Sequence, residues 1–253
     1  MDRASIDLNC DLGEGFGGYR AGRDEDLLSF VSSANIACGF HAGDPMIMKR
    51  AVGLCLANGV AIGAHPGLAD LAGFGRREIP CSAEEAYALT TYQIGALLAF
   101  VRAEGGRLHH VKPHGALYHM ASRDRNLAEA IAEAVYRLVP EAVLYGLPGS
   151  ELLKAGERLG LRCAKEAFAD RTYTPDGGLV PRSHPQAVLP NEEAVLEQAV
   201  RLAKGESIAS LTGAGIVVKA DTLCLHGDHP NAADHARRLR RRLEREGIAV
   251  RPV

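Results

Sequence analysis

Histidine, lysine and carboxylate side chains stand at the ends of five apolar segments of this chain. The segments are 6–11, 35–41, 61–65, 110–114 and 223–228. In a parallel α/β protein the carboxyl ends of the strands lie on one rim, where ligands bind. We therefore expect these distant residues to converge on one pocket. Carboxylate, imidazole and amine groups together are typical of an enzyme that hydrolyses an amide or a related bond.

Asp11 ends the first segment, with Asp7 before it and Glu14 shortly after it. A carboxylate at a strand end acts as a general base or binds a hard cation. An aspartate in this place also forms turns, by accepting hydrogen bonds from backbone N–H groups. The residue types alone favour neither interpretation of Asp11.

A histidine followed by Gly-Asp and then by proline occurs twice, in His41–Pro45 and in His226–Pro230. The repetition predicts the same strand-to-helix turn at both places. Asp44 and Asp228 are then expected to cap helices, since aspartate is common at that position. Capping assigns no role to the two histidines.

Four histidines at strand ends are difficult to explain as core residues: His41, His65, His114 and His226. Histidine and carboxylate suit zinc and related ions. Asp11, His41, His65 and His226 are the candidate ligands. The chain contains neither H-E-x-x-H nor H-x-H, so spacing does not define a metal site, and the need for a metal stays open.

The densest polar cluster is the run Lys112–Tyr118, which reads Lys-Pro-His-Gly-Ala-Leu-Tyr. Pro113 cannot donate to a sheet ladder, so it is expected to mark the end of the strand. A lysine held at a strand end stabilises an oxyanion or binds phosphate. The alternative for Lys112 is an exposed lysine in a turn.

Residues 13–18, which read Gly-Glu-Gly-Phe-Gly-Gly, match G-x-G-x-x-G after a strand. A dinucleotide site also needs an acidic residue at the end of the next strand, and that residue is missing. The glycines are expected at most to form an anion-binding nest. The sequence has no Gly-Lys-Ser or Gly-Lys-Thr, and hence no P-loop. Cys10, Cys38 and Cys224 are expected to be small core residues.

Apolar runs alternate with helical patterns along the chain, which predicts β/α units and a mostly parallel sheet. Two more strands are predicted at 142–147 and 161–168, giving about seven strands and six helices. Helix starts are predicted after Asp44, Ser82 and Asn191. The stretch 171–190 is rich in proline and lacks a helical period, and an ordered loop of that length is often a lid.

Composition places the 253 residues among globular proteins, with 47% hydrophobic and 24% charged residues. A single barrel domain over 1–253 is expected, since barrels of about 250 residues are ordinary. The net charge of −2 gives no basic excess for nucleic acid. We expect no membrane span, because no apolar run approaches ~18 residues, and no signal peptide. The six cysteines contain no C-x-x-C pair, so a cytoplasmic protein with reduced thiols is expected.

Motifs spread over nearly the whole chain resemble those of the LamB/YcsF family. They are Asp7–Glu14, Ser33–Asp44, Gly63–Gly67, Lys112–Tyr118, Phe168–Arg171 with Tyr173, Asp176–Gly177, Leu179–Arg182 and His226–Asp228. The resemblance implies a seven-stranded β/α barrel of a distorted TIM type, like those of glycoside hydrolases and deacetylases. It also implies an ATP-dependent 5-oxoprolinase reaction, in which 5-oxo-L-proline, ATP and water give L-glutamate, ADP and phosphate, with partner subunits B and C.

The resemblance also carries residue roles. The residues expected to be catalytic are Asp11, His41, His65, Lys112, His114 and His226. The residues expected to bind substrate or phosphate are Asn9, Glu14, Asp44, Tyr118, Asp170, Arg171, Arg182 and Asp228. ATP is the expected co-substrate. A divalent metal such as the Mg²⁺ that accompanies ATP stays open, and no structural metal is predicted.

Two alternative functions stay open. One is a stand-alone, metal-dependent deacetylase or amidohydrolase, suggested by analogy of fold. The other is a non-catalytic subunit that scaffolds or regulates the complex.

Overall fold

The computed structural model describes residues 4–18, 24–181, 183–225 and 232–253. The strands in these ranges are β1 (Ser5–Leu12), β2 (Ser33–Ala37), β3 (Ala61–His65), β4 (Leu108–Val111), β5 (Val143–Gly146), β6 (Arg162–Phe168), β7 (Ser207–Ala209), β8 (Gly215–Val217), β9 (Thr222–Leu225) and β10 (Ala249–Val250). The helices are α1 (Asp24–Leu27), α2 (Pro45–Asn58), α3 (Ala83–Ala103), α4 (Gly115–Arg123), α5 (Arg125–Leu138), α6 (Glu151–Arg158), α7 (Glu192–Lys204) and α8 (Ala232–Arg245).

Seven parallel strands close into a barrel, as predicted. They follow the order β1-β2-β3-β4-β5-β6-β9, and β9 pairs back with β1. The short strand β10 extends the edge of β1, and β7 and β8 form a separate antiparallel hairpin. Because all seven barrel strands run in the same direction, their carboxyl ends share one mouth.

The alternation of residues along β1 separates the inside of the barrel from the outside. Leu8 and Cys10 are fully buried in the apolar layer between strands and helices. Asp7 and Asn9 point the other way and bond to strands across the barrel. Successive side chains of a strand point to opposite faces, so a strand with polar residues at every second position lines the interior with polar groups.

His110 of β4 fills the barrel interior beside a strand that has no side chain at the facing position. A Cβ at Gly63 of β3 would overlap the imidazole of His110. The ring stacks on Tyr145 with centroids 4.3 Å apart, and its Nε2 lies 2.8 Å from Oδ1 of Asn35. Glycine at position 63 therefore provides the space that a histidine of the next strand occupies.

The predicted helix starts are confirmed. Asp44 accepts hydrogen bonds from two N–H groups in the first turn of α2. Ser82 and Glu85 form a capping box at the start of α3, and Asn191 caps α7. Each cap satisfies backbone donors that have no partner within the helix.

The strands predicted at 142–147 and 161–168 are β5 and β6, whose ends lie within one residue of those predicted. Two other strands end earlier than their predicted segments. β2 ends at Ala37, and the chain then turns through Gly39 and Gly43, whose φ angles of 93° and 83° are costly for other residues. β4 ends at Val111, ahead of Pro113, as expected for a residue without an N–H. His41 therefore lies on a turn beyond its strand.

The predicted lid segment, 171–190, is tied to itself and to the barrel. Antiparallel bridges join Arg171 to Val188 and Tyr173 to Leu179. The guanidinium of Arg171 is buried and donates to the carbonyl oxygens of Ala187 and Val180 at 3.2 and 2.5 Å. The described parts of the segment, 171–181 and 183–190, thus form a hydrogen-bonded layer, and movement of a lid stays a prediction.

Among the helices within the described ranges, none has both the length and the apolar character needed to cross a membrane.

Candidate active site

Asp11, at the end of β1, is the carboxylate at the centre of the barrel mouth. Its Oδ1 accepts a hydrogen bond from Nδ2 of Asn35 at 2.9 Å and lies 3.2 Å from Nζ of Lys112. Nε2 of His65 is 3.3 Å away. The side chain keeps 18% of its surface exposed, so that water reaches it from the mouth. Residues in β2, in β3 and just after β4 thus position the carboxylate of Asp11.

Lys112 lies buried below Asp11, which excludes the alternative of an exposed turn lysine. Its Nζ is 2.8 Å from Oε1 of Glu166 and 3.1 Å from Oδ1 of Asn9. The sulfur of Cys224 lies 3.2 Å away. An ammonium has three protons to donate, and these neighbours together with Asp11 use all of them. In this arrangement Lys112 balances two carboxylates, and its predicted contact with phosphate stays a prediction.

Asp11 and Lys112 each help to fix the charge of the other. Burial alone raises the pKa of Asp11, but His65 and Lys112 outweigh it and hold that pKa well below its usual value. Burial lowers the pKa of Lys112, but Asp11, Cys224 and Glu166 outweigh it and raise that pKa well above its usual value. Asp11 is therefore ionised and Lys112 protonated at neutral pH.

Glu14 and three histidines form a second cluster directly above Asp11. Oε1 of Glu14 lies 3.1 Å from Nε2 of His41 and 3.4 Å from Nδ1 of His114. Nε2 of His65 lies 3.1 Å from the same Nδ1 of His114. One ligand-type atom of each residue falls within 4.8 Å of the other three. The turns after β1, β2 and β4 and the end of β3 supply one residue each.

The rings of the cluster are held on their far sides. Nδ1 of His65 lies 2.6 Å from the carbonyl oxygen of Lys112. Nε2 of His114 lies 2.8 Å from the carbonyl oxygen of Phe74. The His41 and His114 rings stack in parallel at 3.6 Å, and the Phe74 ring packs edge-on against both. Nδ1 of His41 has no hydrogen-bond partner within the described residues.

Burial sets the protonation of this cluster. Burial, together with the charge of Asp11, raises the pKa of Glu14 to about 7. Burial and the neighbouring His65 lower the pKa of His41 well below its usual value. Burial, then His41 and His65, lower the pKa of His114 to about 2. Both of these imidazoles are therefore neutral at physiological pH.

The turn after β3 closes one side of the cluster, and its part beyond the motif Gly63–Gly67 was not singled out from the sequence. Gln93 of α3 anchors it by accepting from the N–H of Gly67 and donating to its carbonyl, both at 2.9 Å. At Gly75, whose φ is 62°, a Cβ would lie 2.7 Å from Cβ of His41 and 2.9 Å from Cδ2 of His114. Glycine is required where the turn approaches the histidine rings this closely.

Tyr118, a predicted binding residue on α4, is buried next to the ion pair. Burial and the neighbouring Glu166 raise the pKa of Tyr118 well above its usual value. The Tyr118 hydroxyl also interacts with Glu166 through a side-chain hydrogen bond. This tyrosine therefore belongs to the buried network around Lys112, and its contact with substrate stays a prediction.

Four further predicted binding residues make contacts within the protein. Asn9 bonds to the buried ion pair. Asp44 caps α2 and also accepts from the N–H of Gly17 at 2.9 Å. Asp170 and Arg171 begin the ordered segment, where the Asp170 carbonyl accepts from Leu189. Their roles in binding substrate or phosphate stay predictions.

Three predicted site residues, Arg182, His226 and Asp228, lie outside the described residues. The candidate metal ligand His226 is among them. Among the other candidate ligands, His41 and His65 join the cluster of four, whereas Asp11 lies beside it. Glu14 and His114 complete the cluster in the described part of the chain.

Sequence reasoning missed four residues of the site. Asn35 and Glu166 lie within apolar strands, and a polar residue at an inward position was the signal for both. Phe74 has a positive φ of 55°, and exposed Arg76 lies over its ring at 5.1 Å. No motif in the sequence distinguishes these last two.

Comparison with known proteins matches residues 6–253 to the LamB/YcsF family. A relative from Geobacillus kaustophilus, named as the A subunit of 5-oxoprolinase, is 56% identical over 246 residues, which cover 97% of this chain and 96% of the relative. A relative of the same name from Bacillus subtilis is 54% identical and covers 98% of this chain and 96% of its own length.

Among solved structures, the chain is similar to a lactam utilization protein from Thermus thermophilus. The TM-score is 0.94 at 48% sequence identity, covering 98% of this chain and 100% of the other. The similarity thus extends over the barrel and over the turns that carry the site.

Proposed function

Because this chain belongs to the LamB/YcsF family, we propose that it is the A subunit of an ATP-dependent 5-oxoprolinase. The observation that supports this most strongly is its whole-length similarity to proteins named as that subunit. The reaction hydrolyses the lactam of 5-oxo-L-proline to L-glutamate with one water molecule and ATP to ADP and phosphate with a second. The letter in those names supports an assembly with other chains, which we propose to be subunits B and C. We expect the complex to work in the cytoplasm, where ATP is available.

Amide resonance stabilises the lactam, so that direct attack by water is slow. Transfer of the γ-phosphoryl group of ATP to the lactam oxygen gives ADP and an activated carbon. Water then adds to that carbon, and the C–N bond breaks as the nitrogen takes up a proton, which leaves a γ-glutamyl phosphate. A second water hydrolyses this acyl phosphate to L-glutamate and phosphate. ATP is a co-substrate in this scheme, and Mg²⁺ accompanies it.

We assign the attacking water to Asp11. Its carboxylate is ionised, partly exposed at the mouth and held in place by Asn35 and Lys112. A carboxylate in hydrogen-bond reach of water orients it and accepts its proton. Lys112 is a positioning residue in this scheme, because its protons are used by neighbouring side chains.

We assign the carboxylate of 5-oxoproline to Arg76. This side chain is exposed at the mouth, over the ring of Phe74, and it acts electrostatically on Glu14 and His41. A guanidinium recognises a carboxylate through two parallel hydrogen bonds.

The cluster of Glu14 with three histidines favours a second candidate function, a metal-dependent amidohydrolase that works without ATP. This chain is combined with purified subunits B and C, and each protein, or ATP, is omitted in turn while glutamate and phosphate are measured. The main proposal expects both products only from the complete mixture. Glutamate from this chain alone, without ATP, would establish the second function instead.

A variant separates catalysis from scaffolding. Asp11→Asn should assemble with the partners and release no glutamate, whereas Glu133→Gln, on the outer side of α5, should behave as the unmodified chain. Full activity of the Asp11→Asn complex would show that the role of this chain in the complex is non-catalytic.

A further inference from the structure

Four atoms that can bind a cation meet above Asp11. One ligand atom from each of Glu14, His41, His65 and His114 lies within 4.8 Å of the other three. The short pair distances point to Oε1 of Glu14, Nε2 of His41, Nε2 of His65 and Nδ1 of His114. The histidine side chains are buried, and Glu14 keeps 16% of its side-chain surface exposed. The group is thus deep enough to be shielded and open enough for an ion to enter.

The far-side hydrogen bonds decide which nitrogens carry hydrogen. A backbone carbonyl can only accept, so Nδ1 of His65 must donate to Lys112 and Nε2 of His114 must donate to Phe74. In a neutral imidazole the other nitrogen then carries a lone pair. These are Nε2 of His65 and Nδ1 of His114, and they face each other at 3.1 Å.

Two carboxylates lie next to these facing lone pairs. Oε1 of Glu14 lies 3.4 Å from Nδ1 of His114, and Oδ1 of Asp11 lies 3.3 Å from Nε2 of His65. Acceptors at these distances repel one another unless a positive charge lies between them. The arrangement therefore calls for a cation, which is either a shared proton or a metal ion.

The spacing of the four atoms favours a metal. Zinc bonds nitrogen and oxygen at about 2.0–2.1 Å, so the ligand atoms of a tetrahedral site lie roughly 3.3 Å apart. The Glu14–His41, Glu14–His114 and His65–His114 separations are 3.1, 3.4 and 3.1 Å. A shared proton needs two acceptors, whereas four converge here. Carbonyl partners on the far nitrogens are also the usual support for metal-binding histidines.

We propose that Glu14, His41, His65 and His114 bind one divalent transition-metal ion of the class of Zn²⁺, Mn²⁺ or Co²⁺. Three imidazoles disfavour Mg²⁺, which prefers oxygen ligands, so this ion is separate from the Mg²⁺ of ATP. His41 is the weakest ligand, because no hydrogen bond within the described residues holds its far nitrogen, Nδ1, whereas backbone carbonyls hold those of His65 and His114. The inference does not depend on the proposed activity.

Binding of the metal alone tests the site without an activity assay. The full chain is treated with a chelator and dialysed, and Zn²⁺, Mn²⁺ and Co²⁺ are each added in a calorimeter. Visible absorption of the Co²⁺ form then reports the ligand geometry. We expect one ion per chain with a dissociation constant in the micromolar range or below, and Co²⁺ bands typical of four or five nitrogen and oxygen ligands.

Three variants locate the ion. His65→Gln should abolish binding, and Glu14→Gln, which changes a partly exposed side chain, should weaken it about tenfold or more. His235→Gln, on exposed α8, is the matched control and should bind as the unmodified chain does. Circular dichroism establishes that each variant is folded. If His65→Gln does not fold, the Glu14→Gln result decides.

Two results would overturn the proposal. The first is an unmodified chain that binds none of the three ions at micromolar concentration, which would leave a shared proton as the cation. The second is a binding constant that Glu14→Gln leaves unchanged, since the ion would then lie elsewhere on the protein.

Discussion

The barrel interior has two levels that are both polar and yet differ in how completely their hydrogen bonds are made. In the lower level, Asp7 accepts from the hydroxyls of Ser32, Ser33 and Thr222 at 2.6–2.7 Å and from Tyr145 at 3.0 Å. Every neighbour in that set is a donor. In the upper level, formed by Asp11, Glu14, His41, His65 and His114, acceptors face acceptors.

The difference teaches which polar groups in this barrel serve the fold and which serve a ligand. Complete hydrogen bonding in a buried network makes it rigid and stable. Convergent acceptors without donors cost free energy in the empty state and gain it when a cation or substrate binds. We therefore assign the lower level to structure and the upper level to chemistry, with Lys112 between them.

The largest effect on stability and activity is expected at Lys112, the junction between the two levels. Lys112→Met leaves Asp11 and Glu166 as buried charges without their counterion, so the free energy of unfolding should fall by about 3–5 kcal/mol and glutamate production should cease. Urea unfolding and the reconstituted assay measure the two effects. Adding Glu166→Gln should recover part of the stability and none of the activity. An active Lys112→Met chain would contradict the junction role.

The second-largest effect is expected from a variant that changes only the upper level. Asp11→Asn keeps the shape of the side chain but removes one of the two carboxylates around Lys112, so the free energy of unfolding should fall by about 1–3 kcal/mol, less than for Lys112→Met. Activity should fall about 10²–10⁴-fold, the usual contribution of a positioned acid or base. Unfolding midpoints and steady-state rates check this pair of values. A loss of stability with activity retained would assign Asp11 to the structural level instead.

A variant of the lower level should lose stability but not activity. Asp7→Asn weakens four hydrogen bonds and should cost about 1–3 kcal/mol of stability, while turnover by the folded protein stays the same. Burial raises the pKa of Asp7 above the unfolded value of 3.8. The native state therefore binds more protons between these two pKa values, and its stability falls as the pH rises through that window.

The asparagine variant lacks this titration. Its disadvantage against the unmodified chain should thus be largest near pH 4 and smaller near about pH 8. Urea unfolding of both proteins at the two pH values measures the difference. A disadvantage that grows with pH would mean that the Asp7 carboxylate is stabilised by its hydroxyl donors more than it is penalised by burial.

Among the variants that lose activity, the smallest effect is expected at Arg76, on the rim of the barrel mouth. Arg76→Ala should raise the KM for 5-oxoproline about 10- to 100-fold, the value of a hydrogen bond to a charged group, and leave kcat nearly unchanged. Arg238→Ala, an exposed arginine of α8 paired with Glu192, is the matched control. An unchanged KM would remove Arg76 from substrate binding.

The barrel and most of the upper level could be predicted from the sequence because their signals are local. Alternating apolar strands and helix caps fix the elements, and parallel strands bring their ends together. Asp11, His65 and Lys112 therefore meet as expected. The exit of His41 from its strand depends on two glycines with positive φ, which an apolar run does not reveal.

The remaining contacts depend on tertiary packing. Glu166 is an ordinary charged residue in the sequence and becomes the partner of Lys112 only across the closed barrel. Phe74 and Arg76 lie on a turn whose path is set by Gln93 of α3. The structural contacts of Arg171 likewise follow from how segment 171–190 folds on itself.

Gly63 and His110 share a single volume, and that sharing makes the two positions interdependent. Any larger residue at 63 displaces the imidazole, which in turn releases Asn35 and, through its amide, the carboxylate of Asp11. A related chain that carries a side chain at position 63 is therefore expected to carry a smaller residue at position 110. A substitution at position 63 that is not matched by one at position 110 would misorient the carboxylate of Asp11, which neither residue contacts.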